Sequence, residues 1–97
     1  MRIITNKTLI EFWSQHSDAK AALEAWYAEA RHAQWKVPQD ILDHYRSADI
    51  LPDNRVVFNI KGNQYRLVVK IHYNTGIVYI RFINTHAEYD KIDAETI

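Results

Sequence analysis

Two residues near the end of the chain are suited to proton transfer. His86 and Tyr89 are three positions apart, so on a helical turn they lie on one side. Histidine serves as a general acid or base near neutral pH, and tyrosine can donate a proton or stack on a nucleobase. The plainer alternatives are a surface or capping histidine and a tyrosine packed in the core.

The residues that could hold a phosphate are concentrated in one stretch of the chain. The sequence has 12 Lys plus Arg and 12 Asp plus Glu. Residues 55–86 contain five basic residues and no acidic one, whereas residues 87–97 contain one basic and four acidic residues. The five are Arg55, Lys61, Arg66, Lys70 and Arg81. This excess of one sign favours an anionic partner such as nucleic acid, although a solvated open face is the simpler alternative.

Alternating polar and apolar residues predict that this basic stretch is an antiparallel sheet. The strands are expected at residues 55–61, 65–73 and 77–83. Turn signals separate them at Gly62-Asn63 and at Asn74-Thr75-Gly76. The basic side chains should then project from the sheet face opposite to the apolar one.

The two turns decide which side chains are neighbours on that face. A turn at Gly62-Asn63 places Asn59 opposite Arg66, so the polar faces of the two strands coincide. For the second hairpin we expect an even-length turn, since a shift by one residue would put the wrong side in the core. That turn would place His72 opposite Tyr79 and Lys70 opposite Arg81. It would also place the third-strand residues Val78, Ile80 and Phe82 on the core side.

Helices are expected to support the sheet from one side. A short strand at residues 1–5 precedes three helices whose first turns are marked by Asn6, Ser17 and Pro38. Thr85 could cap a last helical turn. The sequence therefore predicts one α+β domain over residues 1–97, in which helices cover one face of an antiparallel sheet and the other face is exposed or forms a site.

The composition excludes several other classes of protein. With 47% hydrophobic and 25% charged residues the chain is typical of a globular domain rather than a disordered one. The absence of cysteine excludes a disulfide scaffold and cysteine-based metal sites. No apolar run approaches the roughly 20 residues of a membrane helix, and no targeting segment is evident. A cytoplasmic protein without membrane contact is expected.

Four ordered segments resemble a known family. They are RVVFNI at 55–60, GNQYRL at 62–67, YIR at 79–81 and THAEYD at 85–90. The spaced combination of G-N-x-x-R, Y-I-R and T-H-x-x-Y-D is similar to the HigB family of type II toxins, within the RelE-like superfamily of bacterial mRNA interferases. The resemblance extends over nearly the whole chain and implies the small α+β fold of that superfamily.

The resemblance also implies an activity and its partners. Such a toxin cleaves mRNA in the ribosomal A site without a metal or another cofactor. The 2′-hydroxyl attacks the adjacent phosphate and leaves a 2′,3′-cyclic phosphate and a 5′-hydroxyl. A HigA-type helix-turn-helix antitoxin would neutralise it.

Specific residues take roles under this resemblance. Arg66 and Arg81 would clamp the phosphate, because guanidinium binds phosphate oxygens bidentately. His86 would act as acid or base, and Tyr89 would stack or share the proton transfer. Asp90 would orient His86 or Arg81, and a solvated carboxylate at the end of the helix is the plainer alternative for it. The residues expected to contact RNA are Arg55, Asn59, Lys61, Asn63, Lys70, His72 and Tyr79.

Two other functions are compatible with the same residues. Some members of the superfamily share the fold but inhibit DNA gyrase, so a non-catalytic toxin or binding module for a protein target is the main alternative. A general binder of single-stranded RNA is disfavoured, because such surfaces display several stacked aromatic residues and only Tyr79 is expected on the basic face.

Overall fold

The computed structural model describes residues 1–97 and contains one five-stranded sheet. Its strands lie in the order β1-β5-β4-β3-β2; β1 runs parallel to β5, and the other neighbours are antiparallel. The strands are β1 Arg2–Ile4, β2 Asp49–Leu51, β3 Arg55–Ile60, β4 Tyr65–His72 and β5 Ile77–Thr85. The expected strands are confirmed, and β2 is an additional edge strand that the sequence did not indicate.

Four α-helices accompany the sheet. They are α1 Asn6–Gln15, α2 Lys20–His32, α3 Pro38–His44 and α4 His86–Tyr89, and a 3₁₀ turn at Ser17–Ala19 leads into α2. Pro38 occupies the first turn of α3, where its missing N–H costs nothing. None of the helices is long and apolar enough to cross a membrane. The α+β architecture expected from the sequence is confirmed.

The main hydrophobic core lies between α1 to α3 and one face of the sheet. Buried helical residues such as Leu23, Trp26 and Ile41 pack with Phe58 and Leu67 of the central strands. Trp26 and Phe58 meet edge to face with their ring centroids 5.4 Å apart, an arrangement that aromatic pairs favour. This packing fixes which side chains of β3, β4 and β5 point away from the helices. We call that second side of the sheet the outer face.

The outer face is not fully open. Val57 and Val68 are 1% and 0% exposed, and they form a second, smaller apolar cluster with Ala94. Leu51, Phe82, Tyr89 and Ile97 pack against this cluster. The chain after α4 therefore folds back over the middle of the outer face and divides its polar residues into two groups. The outer face is therefore not the fully exposed face that the alternation allowed, because its middle is covered.

The first hairpin has the expected register. Asn59 pairs with Arg66 and Phe58 with Leu67. The connection lies at residues 61–64, where Lys61 and Gly62 both have φ above 50°. Glycine adopts this left-handed conformation without steric cost, which explains its place in the turn.

The second hairpin has a turn of even length, as expected, but the residues that pair across it differ from the expected ones. Four residues, 73–76, connect the strands, so His72 lies opposite Ile77 and Lys70 opposite Tyr79. The prediction of His72 opposite Tyr79 and Lys70 opposite Arg81 is wrong by two residues. The even length nevertheless keeps Val78 and Ile80 in the main core.

A β-bulge in β5 changes the faces further along that strand. The register shifts between Val68 and Val69, so that Val69 pairs with Ile80 whereas Val68 pairs with Phe82. Arg81 is the extra residue. Beyond it, Phe82 lies on the outer face against the second apolar cluster, and its expected place on the core side is wrong. Bulges commonly redirect side chains in this way near functional sites.

Candidate functional site

Arg66 is the centre of the polar group at one end of the outer face. Its Nη2 lies 2.9 Å from Nε2 of His86, and its Nη1 lies 3.5 Å from Oδ2 of Asp49. The guanidinium carbon lies 5.1 Å from the centroid of the Tyr89 ring, within the range of a cation–π contact. The Arg66 side chain is only 16% exposed. Its orientation is therefore set by three different partners.

Strand pairing and a helix cap bring His86 to Arg66. Arg66 pairs with Asn84 on β5, and α4 begins two residues later. The Thr85 hydroxyl caps the helix by accepting from the backbone N–H of Glu88 at 3.2 Å. The backbone N–H of His86 also donates to the carbonyl of Gln64 at 3.1 Å, which ties α4 to the start of β4.

The two ring nitrogens of His86 have different partners. Nδ1 lies 3.3 Å from Oδ2 of Asp90, and Nε2 faces the Arg66 guanidinium. Because guanidinium has only donors, Nε2 must accept from Arg66, and Nδ1 then carries the proton toward Asp90. The His86 ring is therefore oriented from both sides, by Arg66 and by Asp90. Asp90 therefore contacts His86, one of the two partners expected for it, and not Arg81.

The Tyr89 ring packs against the flat side of the Arg66 guanidinium. The same ring also lies 6.4 Å from that of His86, so the three-residue spacing does bring the pair together. Partial burial raises the pKa of the Tyr89 phenol, and the carboxylates of Asp49 and Asp90 add to this effect, while Arg66 opposes it. The phenol consequently keeps its proton at neutral pH.

Asp49 belongs to the site although the sequence did not indicate it. It lies on β2 opposite Val57, which places it on the outer face beside Arg66. Its side chain is 59% exposed. A strand of three residues has too few positions for alternation to reveal it, and no motif marks Asp49. A local sequence signal would not have found this residue.

Arg81 stands apart from the other basic residues. It is exposed in the β5 bulge, and no salt bridge or side-chain hydrogen bond satisfies its guanidinium. Its partner strand positions are Val68 and Val69, whereas Arg66 pairs with Asn84 three residues further along β5. At about 3.3 Å per residue the two arginine backbones are separated by roughly 10 Å along the strand. We call Arg66 together with Asp49, His86, Tyr89 and Asp90 the Arg66 group. Arg81 is free to contact a ligand next to this group.

Two of the expected RNA contacts at the other end of the outer face are Arg55, which is buried, and Lys70, which is partly exposed. Arg55 is 6% exposed: its Nε donates to the main-chain oxygen of Ile97 at 2.7 Å, and its Nη1 donates to Asp53 at 2.8 Å. Lys70 also lies 3.6 Å from Asp53. Arg55 lowers the pKa of Asp53 by its hydrogen bond, and the Lys70 charge adds to this. Arg55 thus holds the end of the described chain and does not face solvent.

His72 and Tyr79 lie beside Lys70 at that same end. Their rings meet edge to face with centroids 5.1 Å apart, and both side chains are half-buried. Arg66 and His72 are six residues apart on β4, or about 20 Å along the strand. These residues and the Arg66 group are therefore on one face but do not form one site.

The remaining predicted contacts lie near the first hairpin. Lys61 forms a salt bridge with Asp18 at 3.0 Å, next to the Tyr65 hydroxyl, which donates to Asp18 at 2.6 Å. These two partners lower the pKa of the Asp18 carboxyl, and they direct Lys61 toward the helical side. Asn59 donates to the carbonyl of Ser47 at 3.2 Å, and Asn63 is exposed in the turn.

The Arg66 group has the chemical parts for acid–base work on a phosphate ester. It combines a guanidinium, an imidazole oriented by a carboxylate, and a phenol whose pKa is raised. No group of three or more His, Cys, Asp or Glu side chains is placed to hold a metal ion.

Comparison with known proteins identifies the class to which this fold and site belong. The family model of the HigB toxin, described as the RelE-like toxic component of a toxin-antitoxin system, matches residues 19–92. The chain is also 30% identical over 96 residues to the mRNA interferase toxin HigB of Escherichia coli strain K12. The mRNA interferases HigB of Escherichia coli O157:H7 and of Shigella flexneri match equally well. Each match covers 97% of this chain and 92% of the relative.

The chain therefore belongs to the HigB toxin family, the toxic components of toxin-antitoxin systems. The resemblance seen in the four sequence segments is confirmed. The matched range contains Arg66, Arg81, His86 and Tyr89, and it leaves β1 and α1 outside.

Proposed function

We propose that this protein is an endoribonuclease that cuts mRNA, and that the Arg66 group is its active site. The observation that carries the proposal is the contact of 2.9 Å between Arg66 and His86 beside Tyr89. The membership of this protein in the HigB toxin family supports the proposal, because three curated relatives are named mRNA interferases. The combination of a cation, a base and an acid is what cleavage of a phosphodiester requires.

The proposed reaction needs two proton transfers. The substrate phosphate first takes over the N–H that Arg66 directs at Nε2 of His86. The freed Nε2 then removes the proton from the 2′-hydroxyl of the substrate. The 2′-oxygen then attacks the adjacent phosphorus, a P–O bond forms, and the bond to the 5′-oxygen breaks. Tyr89 gives its proton to the departing 5′-oxygen. The products are a 2′,3′-cyclic phosphate and a 5′-hydroxyl, and no metal takes part.

Arg66 and Arg81 supply the positive charge for the pentacoordinate phosphorane. A guanidinium can bind two of its oxygens at once, and negative charge on those oxygens grows as the 2′-oxygen attacks. Asp90 keeps Nδ1 of His86 protonated, so that Nε2 remains the basic nitrogen. Lys70, His72 and Tyr79 would contact RNA further along the outer face.

The proposed substrate is mRNA in the ribosomal A site, and the proposed partner is a HigA-type helix-turn-helix antitoxin in the cytoplasm. An acidic antitoxin segment would be attracted to the exposed Arg81 and to Lys70, and would exclude RNA by charge and by bulk. The proposed setting is consistent with membership in a toxin-antitoxin family.

A reconstituted translation system tests the function directly. The purified protein should cut an mRNA only when ribosomes are translating it, and the fragments should carry 5′-hydroxyl and 2′,3′-cyclic phosphate ends. Intact mRNA while the protein inhibits translation would contradict the proposal. If His86→Ala and Tyr89→Phe kept full toxicity, a non-catalytic toxin acting on a protein target such as DNA gyrase would replace it.

A further inference from the structure

Both terminal nitrogens of the Arg66 guanidinium already have a partner in this structure. Nη1 faces Asp49 and Nη2 faces His86, while Nε is buried and has no hydrogen-bond partner. A guanidinium has five N–H groups, and these contacts engage one on each terminal nitrogen. A phosphate that binds both terminal nitrogens therefore competes most directly with the oxyanion already on Nη1, the Asp49 carboxylate.

Asp49 is the partner that can leave. Its contact with Arg66 is 3.5 Å long, whereas the contact of His86 is 2.9 Å. Its side chain is 59% exposed and belongs to a three-residue edge strand, so rotation into water requires no change in the sheet. His86, in contrast, is held by Asp90 and by the cap of α4.

A carboxylate is also the side chain that most resembles a phosphate to a guanidinium. Both are planar or tetrahedral oxyanions that accept charge-assisted hydrogen bonds from the same two nitrogens. In addition, Asp49 and Asp90 place two carboxylates beside Arg66 and His86. This arrangement opposes the approach of an anion unless one carboxylate moves away.

We propose that Asp49 is an internal competitor that occupies the phosphate position on Arg66 and is displaced when substrate binds. This inference rests on the proposed phosphate-binding role of Arg66. Asp49 holds the guanidinium in place over Tyr89 in the free protein and thereby sets how tightly an anion is bound. It is a positioning residue and takes no part in the proton transfers.

The test uses inorganic phosphate as the probe, followed by NMR shifts of the Arg66, His86 and Tyr89 backbone amides at constant pH and low salt. Asp49→Asn should bind phosphate about tenfold more tightly than the wild type, because a competing negative charge is removed. A merely structural role for Asp49 would weaken binding instead. Asp49→Ala should give the same gain and guards against an effect peculiar to asparagine.

Two controls separate competition for Arg66 from a general effect of charge. Asp90→Asn removes an equal charge from the same site but does not free Arg66, so its gain should be less than about threefold. Asp43→Asn, on the exposed side of α3, should leave binding unchanged. An Asp49→Asn affinity equal to that of the wild type, or equal to that of Asp90→Asn, would overturn the proposal.

The result is distinguishable from that of the proposed nuclease function. Tighter phosphate binding by Asp49→Asn without any mRNA cleavage by the wild type would support the role of Asp49 as a competitor and contradict the nuclease function. Cleavage by the wild type with no gain in phosphate affinity for Asp49→Asn would support the nuclease function and contradict the role of Asp49.

Discussion

Arg66 has three partners of different chemistry, and only an arginine can serve all of them. One nitrogen faces His86, a second faces Asp49, and the flat guanidinium carbon lies against the Tyr89 ring. Lysine carries the same charge on a single nitrogen and cannot keep two separated contacts and a stacked face. The identity of the residue, and not its charge alone, is therefore expected to control the activity.

Arg66→Lys should lower the rate of mRNA cleavage by about 100-fold while leaving the protein folded, since removal of one such donor typically costs 10²–10³ in rate. Single-turnover cleavage in a translation system measures this. Arg46→Lys, an exposed position after α3, is the matched control and should cleave at the wild-type rate. Equal rates for the two variants would mean that charge alone suffices at Arg66.

Tyr89→Phe separates stacking from proton donation. The phenylalanine ring can still pack under Arg66, but the proton that the raised pKa keeps on the phenol is absent. We expect about a 100-fold loss in single-turnover rate, a common size for general acid catalysis. The unfolding midpoint should change little. Tyr27→Phe on α2 is the control, and a wild-type rate for Tyr89→Phe would assign the ring to stacking only.

Sequence patterns predicted the local relations in the site and missed the distant ones. The spacing of His86 and Tyr89 depends on one helical turn, and the position of Arg66 depends on one hairpin, so both follow from nearby residues. Asp49 comes close only because β2 pairs with β3. The alternation also placed Arg55 on the outer face correctly but could not reveal that the chain beyond α4 covers it.

At the scale of elements, α4 is a one-turn helix that depends on its cap. A helix of four residues has almost no internal hydrogen bonding, so tertiary contacts and capping must hold it. The Thr85 hydroxyl provides the cap, and His86 and Tyr89 are the first and last residues of the helix. Loss of the cap should therefore disturb the site as well as the stability.

Thr85→Ala should lower the free energy of unfolding by about 1 kcal/mol, the usual cost of removing an N-cap side chain. It should also reduce the cleavage rate severalfold, because His86 loses part of its orientation. Urea unfolding and single-turnover cleavage measure the two effects. Thr75→Ala, in the exposed second turn, should change neither. A loss of stability with an unchanged rate would show that the cap does not position His86.

The bulge in β5 marks the limit of what strand patterns can predict. Residues 77–80 alternate as expected, and the register of β4 with β5 then shifts at Val68/Val69. An inserted residue depends on tertiary packing and has no compositional signature in this strand. As a result the outer-face position of Phe82 was not predictable, whereas the existence and direction of the strand were.

At the scale of the whole molecule, Arg55 connects the sheet to the end of the described chain. Its contacts with Ile97 and Asp53 fasten the segment that covers Val57 and Val68. A buried guanidinium is retained only where its donors are satisfied. The function of Arg55 indicated by these contacts is structural, in contrast to the RNA contact expected from its charge.

Arg55→Met should lower the free energy of unfolding by about 1–3 kcal/mol, because the hydrogen bond that ties β3 to the main-chain oxygen of Ile97 is lost. The cleavage rate per folded molecule should remain within about twofold of the wild type. Lys70→Met should behave in the opposite way, with nearly unchanged stability and weaker RNA binding. Thermal unfolding compares the stability of the two variants, and titration of the active site with RNA compares their RNA binding. A large loss of RNA binding in folded Arg55→Met would mean that Arg55 contacts RNA, contrary to the structural role.

The neutral total charge conceals a functional asymmetry. The chain has equal numbers of basic and acidic residues, yet the outer face presents Arg81 without a partner and Lys70 with only one exposed carboxylate. In the Arg66 group, by contrast, Asp49 contacts Arg66 and Asp90 contacts His86. RNA or an antitoxin would meet this local pattern and not the average.

Cleavage-site mapping with wild type and His86→Ala tests the central claim most directly. After induction of each protein, RNA sequencing that captures 5′-hydroxyl ends should find new ends within translated mRNAs for the wild type. The same ends should fall by at least about 100-fold for His86→Ala at equal protein levels. Identical cleavage patterns for both proteins, or growth arrest by the wild type with no new ends, would contradict the account.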